Sequence, residues 1–272
     1  MERRIAELTN HMGIDVFAYS ILSNHFHVLL AIRPDVVEAW SDDEVADRYL
    51  RICPCRWKRR IRGIPVDSDP TAEEVDELVT DQKKLSAVRK RLGCLSWFMA
   101  KLKEPIARRA NVEDDCTGRF WEGRFKSIAV LDSEALAATA AYVDLNPLRA
   151  GMVERPEDAA YTSIQVRIAE ERGDERPTTI RLTPIAGMDE KEYLEFVDHW
   201  ARVCVPGKHA MGRLTSPILK RLGLTGKNWA SLIRNGWDHL AGTAIGRPDA
   251  LRQEANRRGR NWICSPLRPA AT

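Results

Sequence analysis

Two short apolar runs joined by a two-residue turn, close to the N-terminus, constrain this chain more than any other stretch. Val16–Leu22 and Val28–Ile32 are rich in β-branched, aromatic and aliphatic residues and are short enough to be strands. Ser23-Asn24 between them reads as a tight turn. The pattern predicts an antiparallel hairpin over about 15–32, ended by Arg33-Pro34. Side chains alternate across a strand, so Asn24-His25-Phe26-His27 sends His25 and His27 to one face and Phe26 to the other. Two imidazoles in that relation can converge on one metal ion. They can equally be the polar residues of a half-buried strand, satisfied by hydrogen bonds.

The chain of 272 residues is long enough to bury a real core and suggests one or two domains. No apolar run approaches the roughly 20 residues needed to span a membrane. Met1-Glu-Arg-Arg4 leads into no apolar signal-peptide core, so no membrane partner is expected and a cytoplasmic location is. The six cysteines are scattered without a CxxC pair and read as free thiols. The net charge is only +3, but it is unevenly laid out. Arg51–Arg62 carries six cations and no acid, and Lys83–Arg109 carries nine cations and one acid. An acidic block at Asp35–Asp47 precedes the first of these stretches, and another at Asp67–Asp81 separates the two. Basic stripes of this kind suit a polyanion; they can also be solvated helix faces.

Helices are expected over residues 2–12, over 35–50, and from Pro70-Thr71, where acids meet the positive end of the dipole. Leu85, Val88, Leu92, Leu95, Met99, Leu102 and Ile106 repeat at three and four, which predicts one helix that Pro105 ends or kinks. Thr117–Lys126 interleaves basic and aromatic residues, among them Arg119, Trp121, Arg124 and Lys126. Such a pattern lets rings stack on unpaired bases while cations meet phosphates, or it anchors a strand in the core. A strand-like run, Ser127–Leu131, follows. Asp132-Ser133 then caps an alanine-rich helix that ends at Asn146-Pro147. On that helix Tyr142 and Asn146 are four apart and share a face. The polar stretch Glu170–Thr179 is the expected domain boundary, and the region beyond it shows helical stripes, including Tyr193-Phe196-Trp200, 216–224 and Trp229–Trp237.

Phosphodiester transfer needs a nucleophile, a Lewis acid on the scissile phosphate, and charge to hold the backbone. A tyrosine is a poor nucleophile near neutrality because its reference pKa is about 10, and a metal beside the phosphate compensates. A histidine pair, a helix-borne tyrosine and basic-aromatic stretches form such a set. The plainer reading of Tyr142 is a core aromatic packed on the sheet.

Asn24-His-Phe-His27, Gly118-Arg-Phe-Trp-Glu-Gly-Arg-Phe-Lys126 and Tyr142-Val-Asp-Leu-Asn-Pro-Leu-Arg-Ala-Gly-Met152 together resemble the single-tyrosine HUH transposases, in the REP-associated branch. The resemblance covers residues 14–34 and 94–166. It implies an α+β fold with a ferredoxin-like antiparallel sheet, the HUH nuclease core. It implies a catalytic domain over 1–169, with a helical insertion at about 35–93, and a separate helical region over 177–272. The family's first strand would lie upstream of Met1.

The activity so implied is metal-assisted nicking and rejoining of single-stranded DNA beside hairpin, REP-like elements. Tyr142 would be the nucleophile, leaving a 5′-phosphotyrosine and a free 3′-hydroxyl. His25, His27 and Asn146 would hold Mg²⁺ or Mn²⁺; ligand chemistry alone allows zinc equally. Arg56, Lys58, Arg59, Arg119, Trp121, Arg124, Lys126 and Arg149 would contact DNA, and a homodimer is compatible with the family. Two other readings stand beside this one: a non-catalytic DNA-binding remnant or repressor, and a zinc-dependent hydrolase using the histidines alone.

Overall fold

The computed structural model describes residues 1–203 and 243–263. The helical stretches expected at 216–224 and Trp229–Trp237, with Cys204 and Cys264, lie outside the described residues. The described chain is α+β and mostly helical, with two sheets of two strands each. No described helix is long and apolar enough to cross a membrane. The chain divides into two compact units interleaved along the sequence. One comprises Met1–Val16, Leu30–Phe125 and Thr178–Arg181; the other comprises Phe17–Leu29, Lys126–Pro177 and Leu182–Thr272.

The first unit begins with α1 (Glu2–His11), which leads into β1 (Ile14–Ile21). β1 pairs with β2 (Phe26–Ile32), and the open end of this hairpin belongs to the first unit. Gly13 sits at the joint. Its N–H donates to the Leu92 carbonyl at 3.0 Å, and its own carbonyl accepts from the Arg33 N–H at 2.8 Å. A Cβ there would stand 2.7 Å from the Arg33 carbonyl oxygen and inside the Val37 side chain, so only glycine fits.

Where one helix is expected over 35–50 there are two, α2 (Pro34–Ala39) and α3 (Asp42–Ile52). Ser41 leaves the helical conformation to cap α3, its Oγ accepting from the Glu44 N–H at 3.1 Å. α4 (Arg56–Arg62) follows. α5 (Ala72–Thr80) starts in a capping box formed by Thr71 and Glu74. α3 packs on α1 and α5.

The long apolar stripe does not lie on one helix. It is shared by α6 (Gln82–Leu92) and α7 (Leu95–Glu113), both packed into the same core, so the spacing reads through the break. The break falls at Gly93, a weak helix former, where the Leu92 carbonyl is taken by Gly13 instead of by a helical donor. Pro105, expected to end or kink this helix, lies inside α7, which runs on to Glu113. Proline lacks the N–H that would reach the Lys101 carbonyl, and Nε of Arg4 donates to that oxygen at 3.2 Å in its place.

The second unit holds the turn end of the hairpin. With it are β3 (Ala129–Val130), α8 (Ser133–Asp144), α9 (Asn146–Arg149), α10 (Ser163–Arg172), α11 (Glu190–Ala201), β4 (Ala244–Ile245) and α12 (Pro248–Arg257). The strand expected at 127–131 is only the two residues of β3, and its partner is β4, in parallel. Within the described residues the hairpin gains only an isolated antiparallel bridge, Ser20 to Thr162. α8 is capped by Asp132, which accepts from the Ala135 N–H at 2.8 Å. It is buried on every side, with five alanines among its inward residues. Around it Ala18, Leu29, Ile164, Tyr193, Phe196 and Trp200 form one apolar cluster. A helix enclosed this way is a central element rather than a surface one.

Candidate functional site

Three of the residues singled out from the sequence come together in the second unit. His25 precedes β2 by one residue, and His27 is the second residue of that strand. Leu22 N–H donates to the His25 carbonyl at 2.9 Å, which closes the Ser23-Asn24 turn. The His25 and His27 rings stand edge to face, centroids 5.1 Å apart and planes at 84°. Tyr142, two residues from the end of α8, meets His27 at 5.9 Å and 79°. The three rings thus form a row that steps from an exposed His25 through a half-buried His27 to Tyr142, which is 9% exposed. Asn146 is half-buried and opens α9, since the alanine-rich helix stops at Leu145.

The hydrogen bond between Nδ1 of His25 and Oδ1 of Asn24, at 2.7 Å, bears on metal binding. An amide oxygen only accepts, so Nδ1 is the donor; a neutral His25 in this tautomer would present the Nε2 lone pair, the form in which a histidine can ligate. Among the described residues no three His, Cys, Asp or Glu side chains gather for a metal. The side chains that could hold a metal are the two imidazoles, with the Asn146 carboxamide as the remaining candidate.

Behind Tyr142 lies a polar cluster that the sequence did not disclose. Asp144 is fully buried, and burial pushes its carboxyl up to about 6, against the opposing pull of Arg167, Ser163 and Tyr193. It accepts from Ser163 Oγ, and from the Tyr193 hydroxyl at 2.7 Å. Ser163 Oγ in turn contacts the β1 backbone, accepting from Tyr19 N–H at 2.9 Å with the Tyr19 carbonyl 3.1 Å away. Arg167 donates to the Phe17 carbonyl and to both oxygens of Glu190, with its guanidinium 4.8 Å from the Tyr193 ring centroid. α8, α10 and α11 are thereby pinned to the hairpin strand that leads to the histidines. The one available sign was an acid, Asp144, at the far end of an alanine-rich helix.

The cations named from the sequence fare unequally. Arg59 is buried, holds Glu74 with two 2.8 Å bonds, and donates to the carbonyls of Pro65, Val66, Ser68 and Asp69. It organises the loop before α5 and is not a surface cation. Lys58 pairs with Glu77 at 2.7 Å, while Arg56 is exposed. Arg149 is also buried, donating to the carbonyls of Trp200 and Val203 at the end of α11, which satisfies helix-terminal acceptors. Arg119, Arg124 and Lys126 are exposed on a stretch without helix or strand. Trp121 is held against α7, its Nε1 donating to the Lys103 carbonyl at 3.0 Å and the Lys103 ammonium 4.8 Å from its ring centroid.

No protein-family model, curated protein or solved structure matches the chain.

Proposed function

We propose that this chain nicks and rejoins single-stranded DNA at hairpin-associated sites, as a transposase of the single-tyrosine HUH type. The observation that carries the reading is the ring row: in a His-x-His pair on a hairpin the two rings stand 5.1 Å apart, and a tyrosine far away in sequence stands 5.9 Å from the second of them. In the proposed reaction the Tyr142 oxygen attacks the scissile phosphorus. A phosphorus–tyrosine bond forms as the bond to the 3′-oxygen breaks; the phenol gives up one proton and the 3′-oxygen gains one. His25, His27 and Asn146 would hold Mg²⁺ or Mn²⁺, which when bound supplies positive charge beside the phosphate. The His25–Asn24 bond supports this by orienting the first imidazole. The ferredoxin-like sheet of that family would use β1 and β2 as two of its strands. The expected setting is the cytoplasm, where single-stranded DNA arises, and a second copy of the chain is a compatible partner.

A non-catalytic DNA-binding role is the second reading, favoured by the burial of Tyr142. Covalent trapping separates the two. The full chain, incubated with Mn²⁺ and a labelled single strand bearing a hairpin, should give an adduct that survives denaturation. Tyr142→Phe keeps the ring and should abolish the adduct; His25→Ala, His27→Ala and EDTA should do so through the metal. An adduct that persists in Tyr142→Phe assigns the nucleophile elsewhere, and a chain that binds the strand but never forms an adduct establishes the second reading.

A further inference from the structure

The first unit contains an open cleft of about 600 Å³ whose walls carry five cations: Arg4 of α1, Arg56 of α4, and Lys101, Arg108 and Arg109 of α7. Two carboxylates, Glu104 and Glu113, also line it, so five positive charges less two negative leave the lining at +3. Both carboxylates are engaged in exposed pairs one helical turn long, Glu104 with Arg108 and Glu113 with Arg109. Pairs of this kind hold weakly in water, and an incoming phosphate can take either arginine. The remaining lining is Ile52, Cys53, Pro54, Pro105 and Val112, largely apolar. Pro105 has a part in shaping the wall, because the carbonyl it leaves without a helical donor holds the Arg4 side chain together with the Glu7 carboxylate, 2.8 Å away.

The cations come from three helices and are spread along more than one turn of α7. That layout suits a linear polyanion, whereas a lone phosphate is held by donors converging on one point. The apolar part of the lining suits bases rather than more charge. Trp57, next to Arg56, is 70% exposed, and Ile61 one turn on is 67% exposed. An exposed aromatic ring on the helix that supplies a cleft cation offers the means by which single strands are gripped, phosphates on cations and bases on rings.

We infer that this cleft binds the backbone of a single-stranded nucleic acid, with Trp57 stacking on a base. The inference rests on the proposed DNA reading only for the choice of nucleic acid, and it assigns a strand-binding site to the first unit independently of the chemistry at Tyr142.

The test is fluorescence anisotropy of the full chain with a labelled oligothymidylate of about 20 nucleotides over a salt series. Arg56→Gln/Lys101→Gln/Arg108→Gln/Arg109→Gln should lower affinity at least tenfold. Its log–log salt slope should be shallower by about 2–3, since each lost single-strand phosphate contact removes about 0.7. If that variant melts early, Arg108→Gln/Arg109→Gln, both exposed, carries the test with a slope change of about 1. Lys191→Gln/Arg252→Gln, exposed cations of the second unit, should bind like the parent. Trp57→Ala should weaken binding with the slope unchanged. A folded cleft variant that binds like the parent overturns the inference, as does a control pair that loses as much, or a parent with no affinity. Polyglutamate competing as well as oligothymidylate overturns it too, in favour of an acidic protein. Adduct formation is scored separately: a parent that binds without an adduct removes the transposase reading and leaves the cleft standing.

Discussion

The Tyr193 hydroxyl donates to Oδ2 of Asp144 at 2.7 Å, inside a fully buried cluster. The bond joins α11 to α8 two residues beyond Tyr142, and it is one of two side-chain donors that offset the burial of the Asp144 carboxylate. Tyr193→Phe removes that donor without opening a large cavity. Hydrogen bonds to charged groups contribute about 1.5–3 kcal/mol, so urea denaturation should show a loss of that order. A loss below about 0.5 kcal/mol would mean that Asp144 is protonated or solvated in the folded chain.

Arg59 and Glu74 make the second test. Removing one member of a buried pair leaves the other charged and unmatched, which costs about 3–5 kcal/mol. Arg59→Ala should therefore destabilise the first unit strongly, and Arg59→Met/Glu74→Leu should recover most of the loss. If Arg59→Ala instead lowers DNA affinity while the melting temperature holds, the side chain is a surface contact after all.

Gly13 is held by steric necessity. Gly13→Ala drives a methyl into the Arg33 carbonyl and Val37, and overpacking of this kind costs about 1–3 kcal/mol. Adding Val37→Ala should not rescue it, because the backbone oxygen stays in place. Thermal melts of the single and double variants decide the matter.

His11 gives the chain a pH dependence. Burial, with help from Arg51 and Arg48, lowers its pKa below the ordinary histidine value. The unfolded chain therefore binds the proton more tightly than the folded one, and stability rises with pH through the histidine range and levels off above it. His11→Gln should flatten that part of the melting profile. An unchanged profile would place the titration at another group.

The hairpin was legible because its signal is local: two apolar runs, a Ser-Asn turn and a two-residue alternation all point the same way. The row of His25, His27 and Tyr142 could be suspected from motif spacing. The cluster behind it could not, since Asp144, Ser163, Tyr193 and Arg167 become neighbours only when three helices meet. Charge was the least legible property. Arg51–Arg62 and Asp67–Asp81 are separate blocks in sequence, yet Arg51 pairs with Asp69, Lys58 with Glu77 and Arg59 with Glu74. Much of what reads as a polyanion-binding stripe is spent on the protein's own acids. Arg149 was misleading for the same reason: a cation in a motif-rich stretch can equally cap a helix that comes fifty residues later.

The bond between Tyr19 and Ser163 spans 144 positions. At a synthesis rate of about 5–20 residues per second, Tyr19 is synthesised roughly 7–30 s before the residue that satisfies its backbone exists. Throughout that interval β1 presents an open, apolar strand edge, a template for another strand. Unfinished copies can associate through this edge, so rapid overexpression should favour aggregation of nascent chains and slower synthesis should reduce it.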